Sequence, residues 1–158
     1  MHKLRIPKRP TSHTARRRGA TIVESAIVLP VLLLILFAML DLGVASVRYN
    51  ALAEVSRRVA RETILHGSLA PQAVGTWGPE AFEGTAGDDS DLVAAAAIAT
   101  ATMDDEKVNI RISWPDGDNS PRDRVRVEVD YRHQSLVPGL LPWGSFDLNS
   151  ATTMHIVN

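Results

Sequence analysis

One apolar block constrains this chain more than any other feature of its sequence. Residues 25–47 contain a single charged side chain, Asp41, and residues 26–40 contain no polar side chain at all. At ~1.5 Å per residue, a helix of this length crosses the ~30 Å hydrocarbon core of a bilayer. A chain of 158 residues leaves too little protein to surround such a helix with its own core. The sequence therefore predicts one membrane-spanning helix over residues 20–47.

The charges on either side of this block predict its orientation. Residues 1–18 carry seven Lys or Arg side chains and no acid, whereas the chain from Arg48 onward carries ten basic and sixteen acidic side chains. Lys and Arg beside a membrane helix are retained on the cytoplasmic side. We therefore expect residues 1–19 to form a disordered, basic cytoplasmic leader, with the C-terminal part exported across the inner membrane. The acidic body excludes a uniformly basic nucleic-acid-binding protein.

The remaining residues predict an α+β exported part. Residues 48–66 are expected to continue the helix as a stem that ends at Gly67, because apolar residues recur every three or four positions at Val44, Val47, Ala51, Val55 and Val59. Residues 67–90 read as a loop, and residues 67–158 as the exported domain. Within it we predict a short helix packed on a small antiparallel sheet of about three strands, over residues 92–103, 108–114, 124–132 and 150–157.

No catalytic or metal-binding pattern stands out in the sequence. Cysteine is absent, and the five histidines lack the spacing of a metal site. We expect a non-catalytic protein without a cofactor. The apolar segment 136–146 allows two interpretations: it caps the core of the sheet, or it is a docking surface for a partner.

The most informative motif lies at the cytoplasmic edge of the apolar block. A basic run ends at Gly19, followed by Ala20 and, four residues later, by Glu24. A carboxylate inside a membrane helix is costly and therefore indicates a function. The alternative is that Glu24 lies at headgroup level and is merely stabilised by the N-terminal end of the helix dipole.

This pattern resembles the type IV prepilin signal. The longer string GATIVESAIVLPVLLLILFAMLDLG resembles the start of TadE-like pseudopilins of the Tad/Flp pilus and secretion system. Ser25 departs from that family, which usually has an aromatic residue directly after the glutamate.

The resemblance implies a minor pilin-like subunit. A prepilin peptidase would cut between Gly19 and Ala20, and Glu24 would pair with the new N-terminal amine of a neighbouring subunit. The implied partners are this peptidase, the Tad inner-membrane platform, other pilins or pseudopilins, and membrane lipid. The resemblance also implies that the protein is extracellular if it enters a pilus.

Asp41 and the overall function each leave alternatives open. Asp41 is either hydrated at the outer interface or in contact with a partner helix. The chain as a whole could instead be an uncleaved, single-pass, membrane-anchored binding module. A third alternative is a secreted protein cut after the A-x-A string at residues 51–53.

Overall fold

The computed structural model describes residues 13–88, 90–94, 96, 100 and 103–158. Its elements, in chain order, are α1 (His13–Thr63), β1 (Phe82–Thr85), α2 (Asp91–Ala94), a 3-10 turn (Asp105–Lys107), β2 (Val108–Ser113), β3 (Arg124–His133) and β4 (Phe146–His155). The predicted α+β class, with a long N-terminal helix before an antiparallel sheet, is confirmed.

Helix α1 is continuous from the leader to the domain. It passes through Pro30 without a break. It begins at His13, so the predicted disorder of the leader is wrong for residues 13–19. Residues 1–12 of the leader lie outside the described residues. Ala and Arg are good helix formers, and adding residues to an existing helix avoids the cost of nucleation. The helix ends at Thr63, slightly before the predicted end of the stem, and tighter turns follow it.

The sheet is a four-stranded antiparallel meander in the order β1-β2-β3-β4. Strands β2 and β3 match the prediction to within one residue at each end, and β4 lies a few residues before the predicted third strand. Strand β1 was not predicted. Its sequence, FEGT, is short and contains a glycine, so it has no alternating pattern of its own and is defined by pairing with β2.

The core lies between the inner face of the sheet and the second half of α1. The inward positions of β2 and β3 alternate strictly along each strand and are apolar up to Tyr131. They pack with Leu52, Val55 and Val59 of α1 in one cluster. The predicted helix stripe is correct at Val55 and Val59 but wrong at Val47, which is 57% exposed.

The predicted helix over residues 92–103 is much shorter in the structure. Helix α2 covers only Asp91–Ala94, Ala96 lies in a turn, and Met103 is outside any helix. Residues 95, 97–99, 101 and 102 lie outside the described residues. An alanine-rich helix of about twelve residues is marginal in water unless a broad apolar face packs against the protein. Among the described residues of this alanine-rich segment, Val93 and Ala96 belong to the buried core cluster.

Candidate functional site

The part of α1 that precedes the domain has an exposed apolar surface. From Thr21 to Leu40 the side chains are exposed, apart from half-buried Phe37 and Ala38. This exposed segment is about 30 Å long at ~1.5 Å per residue, which equals the thickness of a bilayer's hydrocarbon core. By length and composition, the part of α1 from Thr21 to Thr63 is able to cross a membrane. The structure is therefore compatible with a single-pass membrane anchor.

Glu24 is the one acidic side chain of this exposed segment. It lies on a helix face with Thr21, Ser25, Val28 and Leu29, and its carboxylate has no hydrogen bond or ion pair within the part of the chain that the structure describes. The effect of a helix dipole is confined to the first turn, and α1 begins eleven residues before Glu24. Stabilisation by the dipole, the alternative considered for Glu24, is therefore not available in the full-length chain.

Asp41 marks the point where the domain first contacts the helix. Its side chain is fully buried, and both carboxylate oxygens accept hydrogen bonds from the segment that joins β3 to β4. The backbone N–H of Leu136 donates to Oδ1 over 2.7 Å, and the indole Nε1–H of Trp143 donates to Oδ2 over 2.8 Å. These partners satisfy a carboxylate that has lost its water.

Two further side chains surround Asp41. Arg48 Nη1 lies 3.0 Å from His133 Nδ1. A guanidinium only donates, so Nδ1 accepts this bond and the proton of the neutral imidazole is on Nε2. Nε2 lies 3.5 Å from Asp41 Oδ1, which is an electrostatic contact rather than a hydrogen bond. The guanidinium also lies 5.4 Å from the centre of the Tyr131 ring, within the range of a cation–π contact.

We name these residues the junction: Asp41 and Arg48 from α1, His133 at the end of β3, and Leu136 and Trp143 from the connecting loop. The junction ties the domain to the helix directly after the exposed segment. Hydration at the outer interface, one of the two alternatives for Asp41, is wrong because the side chain is not exposed. Contact with a partner helix stays a prediction, although both oxygens are already bonded within the chain.

Comparison with known protein families finds a similarity over most of α1. Residues 19–61 match the model of a family described as TadE-like protein. Over these residues, the sequence of α1 is similar to that family. The matched range begins at Gly19 and includes Glu24 and Asp41, and it ends just before α1 does. No curated protein matches the chain, and no solved structure matches it either.

Helix α1 thus has two different parts. From Thr21 to Leu40 it is largely exposed and carries the carboxylate of Glu24. Its second part carries the domain, through the junction and then through the core residues Leu52, Val55 and Val59. Gly19 and Ala20 lie inside the same continuous helix. Because they come about twenty residues before Asp41 along that helix, they lie far from the junction.

Sequence reasoning missed His133 as part of the site. The strict alternation of β3 could have found it, because His133 has the same parity as Val125, Val127 and Val129 and therefore points inward. Among the residues described, no group of three His, Cys, Asp or Glu side chains is arranged to hold a metal ion.

The outer face of the sheet carries charged pairs instead of an apolar surface. Arg111 contacts Glu83 at 2.6 Å, and Arg126 contacts Glu128 at 2.6 Å. Such exposed pairs contribute little to stability, typically about 0–1 kcal/mol. This face is therefore suited to water rather than to the membrane.

Proposed function

We propose that this protein is a non-catalytic, minor pilin-like subunit of a Tad-type pilus or secretion apparatus, and that it assembles through its N-terminal helix. The observation that carries this proposal is the similarity of the helix to the TadE-like family, together with an exposed apolar segment that holds one carboxylate, Glu24, which has no partner among the described residues. In the part of the chain that the structure describes, the side chains of residues 21–36 are exposed, so this part of the helix is free to contact lipid or other helices.

Membrane placement is the first step of this proposal. The seven basic residues before the apolar segment keep the N-terminus in the cytoplasm, and the domain lies on the far side of the inner membrane. The partners are the Tad inner-membrane platform and other pilins or pseudopilins. In a pilus, the protein would be extracellular.

Processing between Gly19 and Ala20 by a prepilin peptidase is the second step. A peptidase needs its substrate locally unwound, and α1 is helical across this bond. Glycine is about 1 kcal/mol less favourable than alanine inside a helix, so Gly19 weakens the helix where opening is required. Cleavage also removes the basic leader that holds the helix at the cytoplasmic face.

Pairing of Glu24 with a new amine is the third step. Cleavage creates an N-terminal ammonium at Ala20, four residues before Glu24, or about 6 Å along the helix axis. Two isolated charges in an apolar bundle are each costly, and pairing between neighbouring subunits offsets part of that cost. The pair would join helices that are staggered by about one turn.

An uncleaved, membrane-anchored binding module is the second candidate. The observation in its favour is that α1 continues through Gly19 without interruption, as a permanent anchor would. In this case the basic leader stays attached and binds anionic lipid headgroups. This candidate assigns no role to Glu24.

A processing experiment separates the two candidates. Wild-type protein, Gly19→Arg and Glu24→Gln are produced in membranes that contain a prepilin peptidase, and each N-terminus is then sequenced. We expect the wild type and Glu24→Gln to begin at Ala20 and Gly19→Arg to remain uncut. Co-purification with partner pilins should be lost for Glu24→Gln but kept for the control Glu62→Gln, an exposed glutamate in the stem. A wild-type chain that still begins in the leader would contradict the proposal.

A further inference from the structure

The loop between β3 and β4 differs in character from the rest of the domain's surface. Residues 134–145, here named the membrane-proximal loop, contain no charged side chain. Leu136 is 54% exposed and Leu140 is 49% exposed, whereas Leu141 is buried and fastens the loop to the domain. Exposed large apolar side chains in one short loop indicate a contact surface.

The junction fixes the position of this loop along α1. Leu136 and Trp143 both donate hydrogen bonds to Asp41, which is the residue directly after the exposed segment Thr21–Leu40. That segment is as long as the hydrocarbon core is thick, so Asp41 lies at the edge of the core when the segment spans it. The loop then lies at the level of the lipid headgroups, on the side of the domain.

The chemistry of the loop fits this level. Tryptophan is enriched at membrane–water interfaces, and half-buried Trp143 has its one polar group, the indole N–H, already bonded to Asp41. Arg132, which precedes the loop, is exposed and donates to Ser145 Oγ over 3.0 Å. This hydrogen bond holds a cation at the end of the loop, at the level where anionic lipid headgroups would lie.

We propose that the membrane-proximal loop is a lipid-binding element that inserts Leu136 and Leu140 into the leaflet facing the domain. The protein then contacts the bilayer at two places, the helix and the loop. Two contacts restrict the tilt of α1 and its rotation about its own axis, so the loop determines which way the face bearing Glu24 points. This inference rests on the membrane placement in the proposed function, but on neither cleavage nor assembly in a pilus.

The absence of cysteine makes the test direct, because one introduced cysteine is the only labelling site. Leu140→Cys, Leu69→Cys and Leu29→Cys are each labelled with an environment-sensitive fluorophore in the full-length chain. The three proteins are reconstituted into vesicles of phosphatidylcholine and phosphatidylglycerol. Leu69 is the matched control, since it is 72% exposed on the loop after the stem, and Leu29 reports on the spanning segment.

Quenching by nitroxide-labelled lipids and by aqueous iodide measures the depth of each label. We expect the label at residue 140 to shift its emission to the blue, to lie about 15 Å from the bilayer centre, and to resist iodide. The label at residue 69 should be quenched by iodide and not by lipid.

Three results would overturn the proposal. If residue 29 is in lipid but residue 140 behaves like residue 69, the loop does not bind lipid although the membrane placement stands. If residue 29 is in water, the membrane placement fails as well. If the protection of residue 140 disappears when the protein is diluted into excess lipid, the loop contacts a second copy of the chain instead of the bilayer.

Discussion

A buried carboxylate such as that of Asp41 persists only where donors replace the water it has lost. Asp41 has two such donors, and they come from Leu136 and Trp143, which are about a hundred residues away along the chain. This separation explains why the sequence left its role open. An acid at the end of an apolar helix is visible in the sequence, but its partners depend on how the domain folds back.

Asp41→Asn tests the junction. The amide keeps one acceptor oxygen but turns an NH2 group toward a donor, so one of the two hydrogen bonds is lost and a buried polar group stays unpaired. We expect a loss of about 1–3 kcal/mol in the free energy of unfolding in detergent. Asp147→Asn, at an exposed position of β4, is the matched control. Equal thermal midpoints for the two variants would show that the junction contributes nothing to stability.

Gly67 illustrates a close approach rather than a helix stop. A Cβ at this position would meet the backbone oxygen of Asn158 and the Ile156 side chain, and would lie 3.0 Å from the backbone oxygen of Asn119. We expect Gly67→Ala to destabilise the fold by about 1–3 kcal/mol, as overpacking usually does.

Gly43→Ala is the control for that substitution, because nothing lies within 4 Å of its added Cβ and alanine favours the helix. Chemical unfolding in detergent should therefore move the two midpoints in opposite directions. A stabilised Gly67→Ala would show that the C-terminal residues do not pack against this turn.

At the scale of elements, alternation predicted the two strands whose inward positions are most fully buried. It located β2 and β3 because valines and isoleucines occupy the inward positions of both strands. The predicted third strand overlaps β4 from Ser150 onward but misses Phe146–Asn149 at its start. Ser150 and Thr152 occupy inward positions of β4. Both lie within hydrogen-bonding distance of Ser56 of α1, so a polar contact replaces the expected apolar one. The stem stripe was misjudged for the same reason, since Ser56 is buried and Val47 is not.

The hairpin between β2 and β3 provides a prediction about pH. Asp116 accepts hydrogen bonds from the guanidinium of Arg124 and from its backbone N–H, and these bonds, the first above all, lower the pKa of the Asp116 carboxyl group from 3.8 to about 2. A lowered pKa in the folded state means that the ionised group stabilises the fold above pH 3.8, and that this contribution is lost as the pH falls toward 2.

Asp116→Asn should remove that contribution. The wild type should lose stability relative to Asp116→Asn between pH 4 and pH 2, which thermal unfolding monitored by circular dichroism measures. Arg124→Gln should give an intermediate result, because the backbone hydrogen bond remains. If the stability of all three proteins falls in parallel over this range, the hairpin pair is not coupled to folding.

At the scale of the whole molecule, the sequence predicted the division into a spanning-capable helix and an α+β domain, because hydropathy and charge are properties of long segments. It did not predict how the two parts are joined. That connection depends on contacts of His133 and the membrane-proximal loop with about two turns of α1, from Asp41 to Arg48, and on the core residues that follow them. The candidate site follows the same division: Gly19, Ala20 and Glu24 were identified from local spacing, whereas the junction required the tertiary structure.

The bare first half of α1 restricts how this protein can change its surroundings. Burying one large aliphatic side chain is worth roughly 1.5–3 kcal/mol, and this half presents a dozen of them to whatever surrounds it. If this segment passed through water between two apolar environments, the free energy of burying all of these side chains would be lost at the same time. If the helix leaves the bilayer, it must therefore do so gradually, so that each turn contacts a new apolar partner as it loses contact with lipid.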